Sequence, residues 1–149
     1  MKNKTLIIIF ILSLISVALT LFAPLGKSEI GGLFKTRVIT YNLYGGVCSP
    51  FLIVMTTSLG LCFIVLACIP LFKEQVSSNN HKWYMAVGIA FIIMQVACIV
   101  KSMNPYGGDS ISDYFMNEIS VLCIHPAAIV SIVFSILAVI LGSKQVPKS

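Results

Sequence analysis

Polar and apolar positions divide the chain into four long apolar segments separated by shorter polar ones. The apolar segments are residues 5–25, 51–72, 83–100 and 119–142. None of them contains Asp, Glu, Lys or Arg, and runs of about 18 or more such residues are typical of membrane-spanning helices. Because a helix satisfies its backbone hydrogen bonds within itself, we predict an all-α transmembrane four-helix bundle, with residues 1–149 forming one integral membrane domain.

The first apolar segment has an alternative interpretation. It follows the basic residues Lys2 and Lys4, as the apolar part of a cleaved signal peptide does. Its apolar stretch is longer than such a peptide typically has, so we expect a retained helix.

The connections between the segments differ in length and character. Residues 26–50 and 101–118 are longer connections, whereas residues 73–82 form a short polar linker. The stretch from Phe34 to Tyr44 is rich in Thr, Val, Ile and Tyr, which favour strands, and Gly31-Gly32 before it indicates a turn. We therefore predict a small extracellular β-hairpin or sheet in the first connection.

The basic residues predict the orientation of the helices. Six of them lie at the termini and in the polar linker, at Lys2, Lys4, Lys73, Lys82, Lys144 and Lys148. The other four lie in the two longer connections, where four of the five acidic residues balance them, so the net charge of +5 falls on the first side. Because Lys and Arg beside helix ends stay in the cytoplasm, we predict cytoplasmic termini, two outer loops and a location in the cell membrane. Attraction to an anionic inner leaflet accounts for the positive charge without a nucleic-acid partner.

Two similar pentapeptides occur in the two predicted outer loops. They are Asn-Leu-Tyr-Gly-Gly at residues 42–46 and Asn-Pro-Tyr-Gly-Gly at residues 104–108, and a cysteine follows each, at Cys48 and at Cys123. The pair indicates either a duplicated two-helix unit or the same turn chemistry used twice. A disulfide bond between Cys48 and Cys123 is the expectation for an oxidising compartment, and two free thiols are the competing outcome.

Residues that could carry chemistry do not form a recognisable group. The five cysteines contain no C-x-x-C pair, and His125 has no clustered Cys, Asp or Glu beside it. The helices hold no carboxylate of the kind that couples transport to protons. We therefore predict no catalytic, cofactor-binding or metal-binding residues.

Gln95 is the strongly polar residue at depth in the third helix. Together with Thr56, Thr57 and Ser58 on the second helix it could line a narrow pore or form hydrogen bonds between helices. The second interpretation is favoured, because a single Gln is a common partner between helices.

Small residues recur at intervals of four on three of the helices, and small residues let helix backbones approach closely in lipid. We predict that the following residues pack helices together: Thr56, Gly60, Ala86, Ala90, Ala127, Ser131 and Ser135.

The predicted layout resembles that of the claudin-like tetraspan proteins: four helices, cytoplasmic termini, a long strand-rich first outer loop and a shorter second one. The resemblance implies the same four-helix architecture. The first loop has no Trp and holds Cys48 alone, so it lacks the family's signature, and no family site residue is assigned to this chain.

The leading prediction for function is a non-enzymatic multi-pass membrane protein that acts through protein contacts, as an accessory or assembly subunit. Its partner would be a membrane or extracellular protein, or a second copy of the chain, and it would need no cofactor. The alternatives are a small oligomeric channel, permeabilising protein or transporter, and a membrane thiol oxidoreductase. The predicted contact surface consists of Phe34, Arg37, Val38, Ile39, Tyr41 and Tyr44.

Overall fold

Four long helices and three short strands make up the part of the chain that the structure describes. A computed structural model describes residues 2–31, 36–44, 48–73, 76–103 and 120–145. The helices are α1 (Lys2–Phe22), α2 (Pro50–Lys73), α3 (Ser78–Met103) and α4 (Pro126–Ser143). The strands are β1 (Gly26–Gly31), β2 (Thr36–Tyr41) and β3 (Ser120–Ile124). All four helices are long and apolar enough to cross a membrane. The prediction of a mostly helical chain with four long apolar helices is therefore confirmed.

The helices pack in a ring, in which α1 contacts α2 and α4, and α3 contacts the same two helices. Along each helix one row of buried residues recurs at alternating steps of three and four. On α1 and α2 they are Leu6, Ile9, Ser13, Ser16, Thr20, Thr56, Gly60, Phe63, Ala67 and Pro70. On α3 and α4 they are Tyr84, Gly88, Phe91, Gln95, Cys98, Ala128, Ser131, Ser135, Ala138 and Gly142. This heptad spacing is the one that packs antiparallel helices at about 20° in a left-handed bundle.

Local sequence explains where the helices begin and how α2 tolerates a proline. The Ser49 hydroxyl accepts a hydrogen bond from the Leu52 N–H at 3.3 Å, and Pro50 occupies the first position of α2, where no N–H is needed. Pro70 lies inside α2 and cannot donate to the Leu66 carbonyl one turn earlier. The Asn80 side chain of α3 donates to that carbonyl at 3.2 Å instead, which fixes the short connection between the two helices.

The strands form one antiparallel sheet in the order β2-β1-β3. Glu29 of the central strand β1 lies opposite Val38 on one side and Val121 on the other. The small sheet predicted in the first connection is therefore confirmed as β1 and β2, and β3, which directly precedes the fourth helix, joins it. The sheet contacts α3, so it lies at one end of the bundle, which we call the sheet end. The opposite end, where α1 begins and α4 ends, we call the terminal end.

The fourth helix begins at Pro126, whereas the apolar pattern predicted a helix over residues 119–142. The preceding residues form β3, because Val, Leu and Ile suit a strand as well as a helix and β1 offers an open edge. His125 has an extended backbone, and its ring nitrogen Nδ1 accepts a hydrogen bond from the Ala127 N–H at 3.2 Å. Pro126 then takes the first helical position, where its missing N–H is harmless.

Candidate functional site

Polar side chains are buried inside the bundle on all four helices. They are Ser13, Ser16, Thr20, Thr56, Gln95, Ser131 and Ser135, and each is at most 2% exposed. The heptad spacing places them on the inward faces of their helices, so they meet each other rather than the surroundings. Five of them form a group that we call the hydroxyl–amide cluster: Ser16, Thr20, Gln95, Ser131 and Ser135.

Gln95 of α3 is the centre of the hydroxyl–amide cluster. Its amide nitrogen Nε2 donates to the hydroxyl oxygens of Thr20 on α1 at 2.7 Å and of Ser131 on α4 at 2.8 Å. Its carbonyl oxygen Oε1 accepts from the Ser135 hydroxyl at 2.9 Å. One side chain therefore joins three helices through both ends of its amide group.

The hydroxyl groups complete the cluster between α1 and α4. The backbone carbonyl of Ser16 accepts from the Thr20 hydroxyl at 2.9 Å and from the Ser131 hydroxyl at 3.0 Å. The Ser16 hydroxyl contacts the Ser135 hydroxyl. If Ser16 donates to Ser135, and Ser135 to the Gln95 carbonyl, every polar proton of the five side chains has an acceptor.

This saturation limits what the cluster can do. Among the residues that the structure describes, no buried side-chain nitrogen or oxygen lacks a hydrogen-bond partner. Both amide protons and the amide oxygen of Gln95 are already used, so binding a solute there would require breaking existing hydrogen bonds. In an apolar bundle such bonds contribute roughly 0.6 to 2 kcal/mol each and fix how the helices are rotated and aligned.

A second polar contact lies nearer the terminal end of the bundle. The Tyr84 hydroxyl of α3 donates to the Ala138 carbonyl of α4 at 3.1 Å and lies 3.3 Å from the Ser13 hydroxyl of α1. The Ser13 hydroxyl donates to the Ile9 carbonyl at 2.8 Å. The Tyr84 ring lies against Gly142, where an added Cβ would be 2.3 Å from the ring carbon Cε1. A glycine is therefore required for this close approach of α3 and α4.

Two buried cysteines lie at the sheet end. Cys48 precedes α2 and Cys98 lies near the end of α3, and both belong to the same apolar core. The Thr56 hydroxyl of α2 lies 3.3 Å from the Cys98 sulfur. The neighbouring Cys98 and burial both raise the pKa of the Cys48 thiol well above its ordinary value, although the positive charge of Lys101 lowers it in part. A thiol with such a pKa stays protonated and is a poor nucleophile.

The two cysteines of the predicted disulfide lie in different parts of the fold, because Cys48 precedes α2 and Cys123 lies on β3. Cys48 has a free, buried thiol. Cys123 lies on β3 opposite Lys27 of β1, and its side chain lies outside the described part. Cys123 thus belongs to the sheet, whereas the sequence pattern placed it in the fourth helix, and the disulfide bond with Cys48 stays a prediction.

The predicted contact surface follows β2 and the turn after it. Phe34 lies outside the described residues, and for Arg37, Val38 and Ile39 the structure describes the backbone of β2 alone. Tyr41 is half-buried at the end of β2. Tyr44 is 51% exposed, and its hydroxyl lies 3.4 Å from that of Thr57 on α2. Tyr41 and Tyr44 are thus the members of this set whose side chains are described, and Tyr44 is the more exposed of the two.

The predicted packing residues divide into two groups. Thr56, Gly60, Ser131 and Ser135 are buried between helices. Ala90 and Ala127 are half-buried, and Ala86 is exposed, so it does not pack inside the bundle. The buried face of α3 is instead the one that carries Tyr84, Gly88 and Phe91.

Three residues of α1 were missed by the sequence reasoning, namely Ser13, Ser16 and Thr20. Their spacing of three and four residues places them on one helix face, and that spacing was a usable signal. These small hydroxyl residues lie within a long apolar run, so they do not stand out in the sequence as the single amide of the third helix does.

Within the described ranges, no three His, Cys, Asp or Glu side chains come together as a candidate metal site. No protein-family model, curated protein or solved structure matches the chain. The geometry described above is therefore the basis for the function proposed below.

Proposed function

We propose that this chain is a non-enzymatic multi-pass membrane protein that acts through protein contacts at its sheet end, as an accessory or assembly subunit. The observation that carries the proposal is the sheet itself. Two connections that are far apart in sequence, one before α2 and one before α4, contribute strands to a single sheet over the bundle. Such a sheet is an ordered surface, and outer strands of a sheet can bind a partner through backbone groups and side chains.

The proposed orientation follows from the distribution of charge. The terminal end has the lysines of both termini and of the polar linker, so it would lie in the cytoplasm, and the sheet would face outward from the cell membrane. A tag placed after Ser149 should then be labelled only after the cells are permeabilised. Labelling of that tag in intact cells would reverse the orientation.

The closed hydroxyl–amide cluster supports contact rather than conduction as the function. Its five side chains saturate each other's hydrogen bonds. A conducting path needs polar groups that can exchange partners with passing ions or water. In this bundle the buried amide and hydroxyl groups hold the helices together, and the sheet end is the surface that would recognise a partner protein.

The experiment is purification of the tagged full chain in mild detergent, followed by identification of co-purifying proteins. The variant Tyr44→Ala removes an exposed ring at the sheet end, and Trp83→Ala removes one that is 65% exposed near the terminal end. The proposal expects a stable complex with a second membrane or extracellular protein that Tyr44→Ala weakens and Trp83→Ala preserves.

The same preparation tests the alternative function. It is reconstituted into liposomes, and ion flux is measured beside the size of the particle. A homo-oligomer that conducts ions, with no second protein bound, would replace the proposal with the small-channel alternative. A complex in which both variants bind equally well would move the contact surface away from Tyr44.

A further inference from the structure

A shallow cleft opens at the terminal end of the bundle, on the side away from the sheet. All four helices line it, and most of the lining side chains are apolar, among them Leu6, Ile9, Leu66, Ala67, Pro70 and Val76. The polar side chains of Asn80, His81 and Gln145 also line the cleft, and each is half-buried. The cleft thus presents mainly apolar surface to whatever lies beyond this end of the bundle.

Hydrogen bonds between helices hold the walls of the cleft in place. The Asn80 amide of α3 donates to the Leu66 carbonyl of α2 at 3.2 Å, and the Tyr84 hydroxyl of α3 donates to the Ala138 carbonyl of α4 at 3.1 Å. The Tyr84 ring lies against Gly142, and both residues line the cleft. The cleft is therefore formed before any ligand binds, so that binding requires little ordering of side chains.

Four lysines, one from each helix, are exposed at this end of the bundle: Lys4, Lys73, Lys82 and Lys144. Two of them are next in sequence to residues that line the cleft, because Lys82 follows His81 and Lys144 precedes Gln145. Among the residues that the structure describes at this end there is no Asp or Glu, and Glu74 lies outside the described part. An apolar cleft beside such a concentration of positive charge fits an amphipathic molecule with an anionic head group.

We propose that the terminal end binds an anionic glycerophospholipid, with its phosphate among the four lysines and its glycerol and first acyl carbons against the cleft. The proposal rests on the orientation given under the proposed function, which places this end at the cytoplasmic leaflet, where anionic lipids are concentrated. A lipid is favoured over an acidic peptide because the lysines lie at the ends of helices long enough to span a membrane, at the level of the lipid head groups. The bound lipid would hold together the helix ends opposite the sheet.

The experiment uses the full chain, purified in a mild nonionic detergent and stripped of bound lipid. Its melting temperature is measured while phosphatidylglycerol, phosphatidylcholine or glycerol phosphate is added at constant ionic strength. Phosphatidylglycerol should raise the melting temperature by several degrees and reach saturation, because a ligand that binds the folded state stabilises it. Phosphatidylcholine, which has no net charge, and glycerol phosphate, which has no acyl chain, should have little effect.

The matched variants are Lys82→Gln and Lys101→Gln. Both replace an exposed lysine of α3, the first beside the cleft and the second at the sheet end. Lys82→Gln should weaken the binding of phosphatidylglycerol about fivefold, which is the contribution of one lysine near an anionic lipid surface. Lys101→Gln should leave the binding unchanged. Equal weakening by the two variants, or equal stabilisation by phosphatidylglycerol and phosphatidylcholine, would overturn the proposal.

Other occupants of the cleft would give different results. Stabilisation by glycerol phosphate equal to that by phosphatidylglycerol would identify an anion site without a lipid. A co-purifying protein that Lys82→Gln releases, with no effect of phosphatidylglycerol, would assign the cleft to a partner protein. Either result overturns the lipid proposal. The measurements in detergent do not depend on orientation, which the tag after Ser149 tests separately, so a wrong orientation and an absent lipid site are distinguished.

Discussion

Two regions of the bundle interior achieve close packing by different chemistry. Toward the sheet end, the hydroxyl–amide cluster joins α1, α3 and α4 through directional hydrogen bonds around Gln95. Toward the terminal end, aromatic rings pack on glycines in a group that we call the aromatic–glycine cluster. Its members are Gly60, Phe63, Tyr84, Gly88, Phe91 and Gly142. Both regions follow the same heptad spacing of buried positions, so the backbone geometry is shared and the side chains differ.

The aromatic–glycine cluster depends on shape. The Phe63 ring stacks on Tyr84 at a centroid distance of 4.9 Å and lies 5.8 Å from the Phe91 ring. An added Cβ at Gly88 would lie 2.7 Å from Val139 and 2.9 Å from Phe63, closer than carbon atoms normally approach. Packing this close leaves little room for added volume, so an inserted methyl group is expected to destabilise it.

The hydroxyl–amide cluster depends on direction instead. Its groups are small, and a hydroxyl can lose volume without a clash, but each lost partner leaves a polar group unsatisfied in an apolar interior. One bundle therefore combines two kinds of region. The aromatic–glycine cluster sets how close the helices come, and the hydroxyl–amide cluster sets how they are rotated.

The largest effect is expected for Gly142→Ala in the aromatic–glycine cluster. The new Cβ would lie 2.3 Å from the Tyr84 ring, which is held by its hydrogen bond to the Ala138 carbonyl and cannot move without losing it. We expect the free energy of unfolding to fall by roughly 1 to 3 kcal/mol, although alanine favours the helix by about 1 kcal/mol. Thermal unfolding in detergent measures it.

The matched control for Gly142→Ala is Gly60→Ala. There the new Cβ would lie 3.0 Å from a Val17 methyl and 3.1 Å from Phe91, so a small shift of the neighbours suffices. We expect Gly60→Ala to stay within about 1 kcal/mol of the wild type, because helix propensity offsets the crowding. Equal stability of the two variants would contradict the shape-dependent account of this cluster.

An intermediate effect is expected for Gln95→Leu in the hydroxyl–amide cluster. The change keeps the volume but leaves the hydroxyl proton of Ser135 without its acceptor, and Thr20 and Ser131 without their donor. We expect a total loss of about 1 to 2 kcal/mol, because the Ser135 proton is left unpaired whereas Thr20 and Ser131 still donate to the Ser16 carbonyl. The control is Ser58→Ala, at an exposed position of α2, which should change nothing measurable.

The smallest effect is expected for Ser135→Ala, which removes one donor to Gln95. We expect a loss of roughly 0.6 kcal/mol, the average for one side-chain hydrogen bond inside a membrane protein. The double variant with Gln95→Leu should be less destabilised than the sum of the two single variants, because both remove the same bond. Strict additivity would show that the two side chains do not interact.

The uninterrupted apolar runs of the sequence were sufficient to predict α1, α2 and α3. The start of α4 could not be found in the same way, because residues 120–124 are apolar and suit either structure. Their choice of a strand depends on β1, which lies far away in sequence. Pro126 is the local signal of a boundary, because proline is favoured at the first position of a helix, and it occupies that position here.

In the candidate site, too, features of single helices could be predicted from the sequence, whereas contacts between helices could not. Gln95 was identified as an interhelical partner, and Ser131 and Ser135 as packing residues, from residue type and spacing on single helices. Their meeting with Ser16 and Thr20 depends on which helix faces lie opposite each other, and a single sequence does not specify that pairing.

Contact with another protein through the sheet end is tested most directly by photo-cross-linking in intact cells. A benzophenone amino acid replaces Tyr44 in one variant and Trp83 in another, so that the two ends of the bundle are compared in one chain. The account predicts a discrete adduct with a second protein from position 44 and none with that protein from position 83. Adducts from position 44 only with other copies of this chain, or none at all, would contradict it.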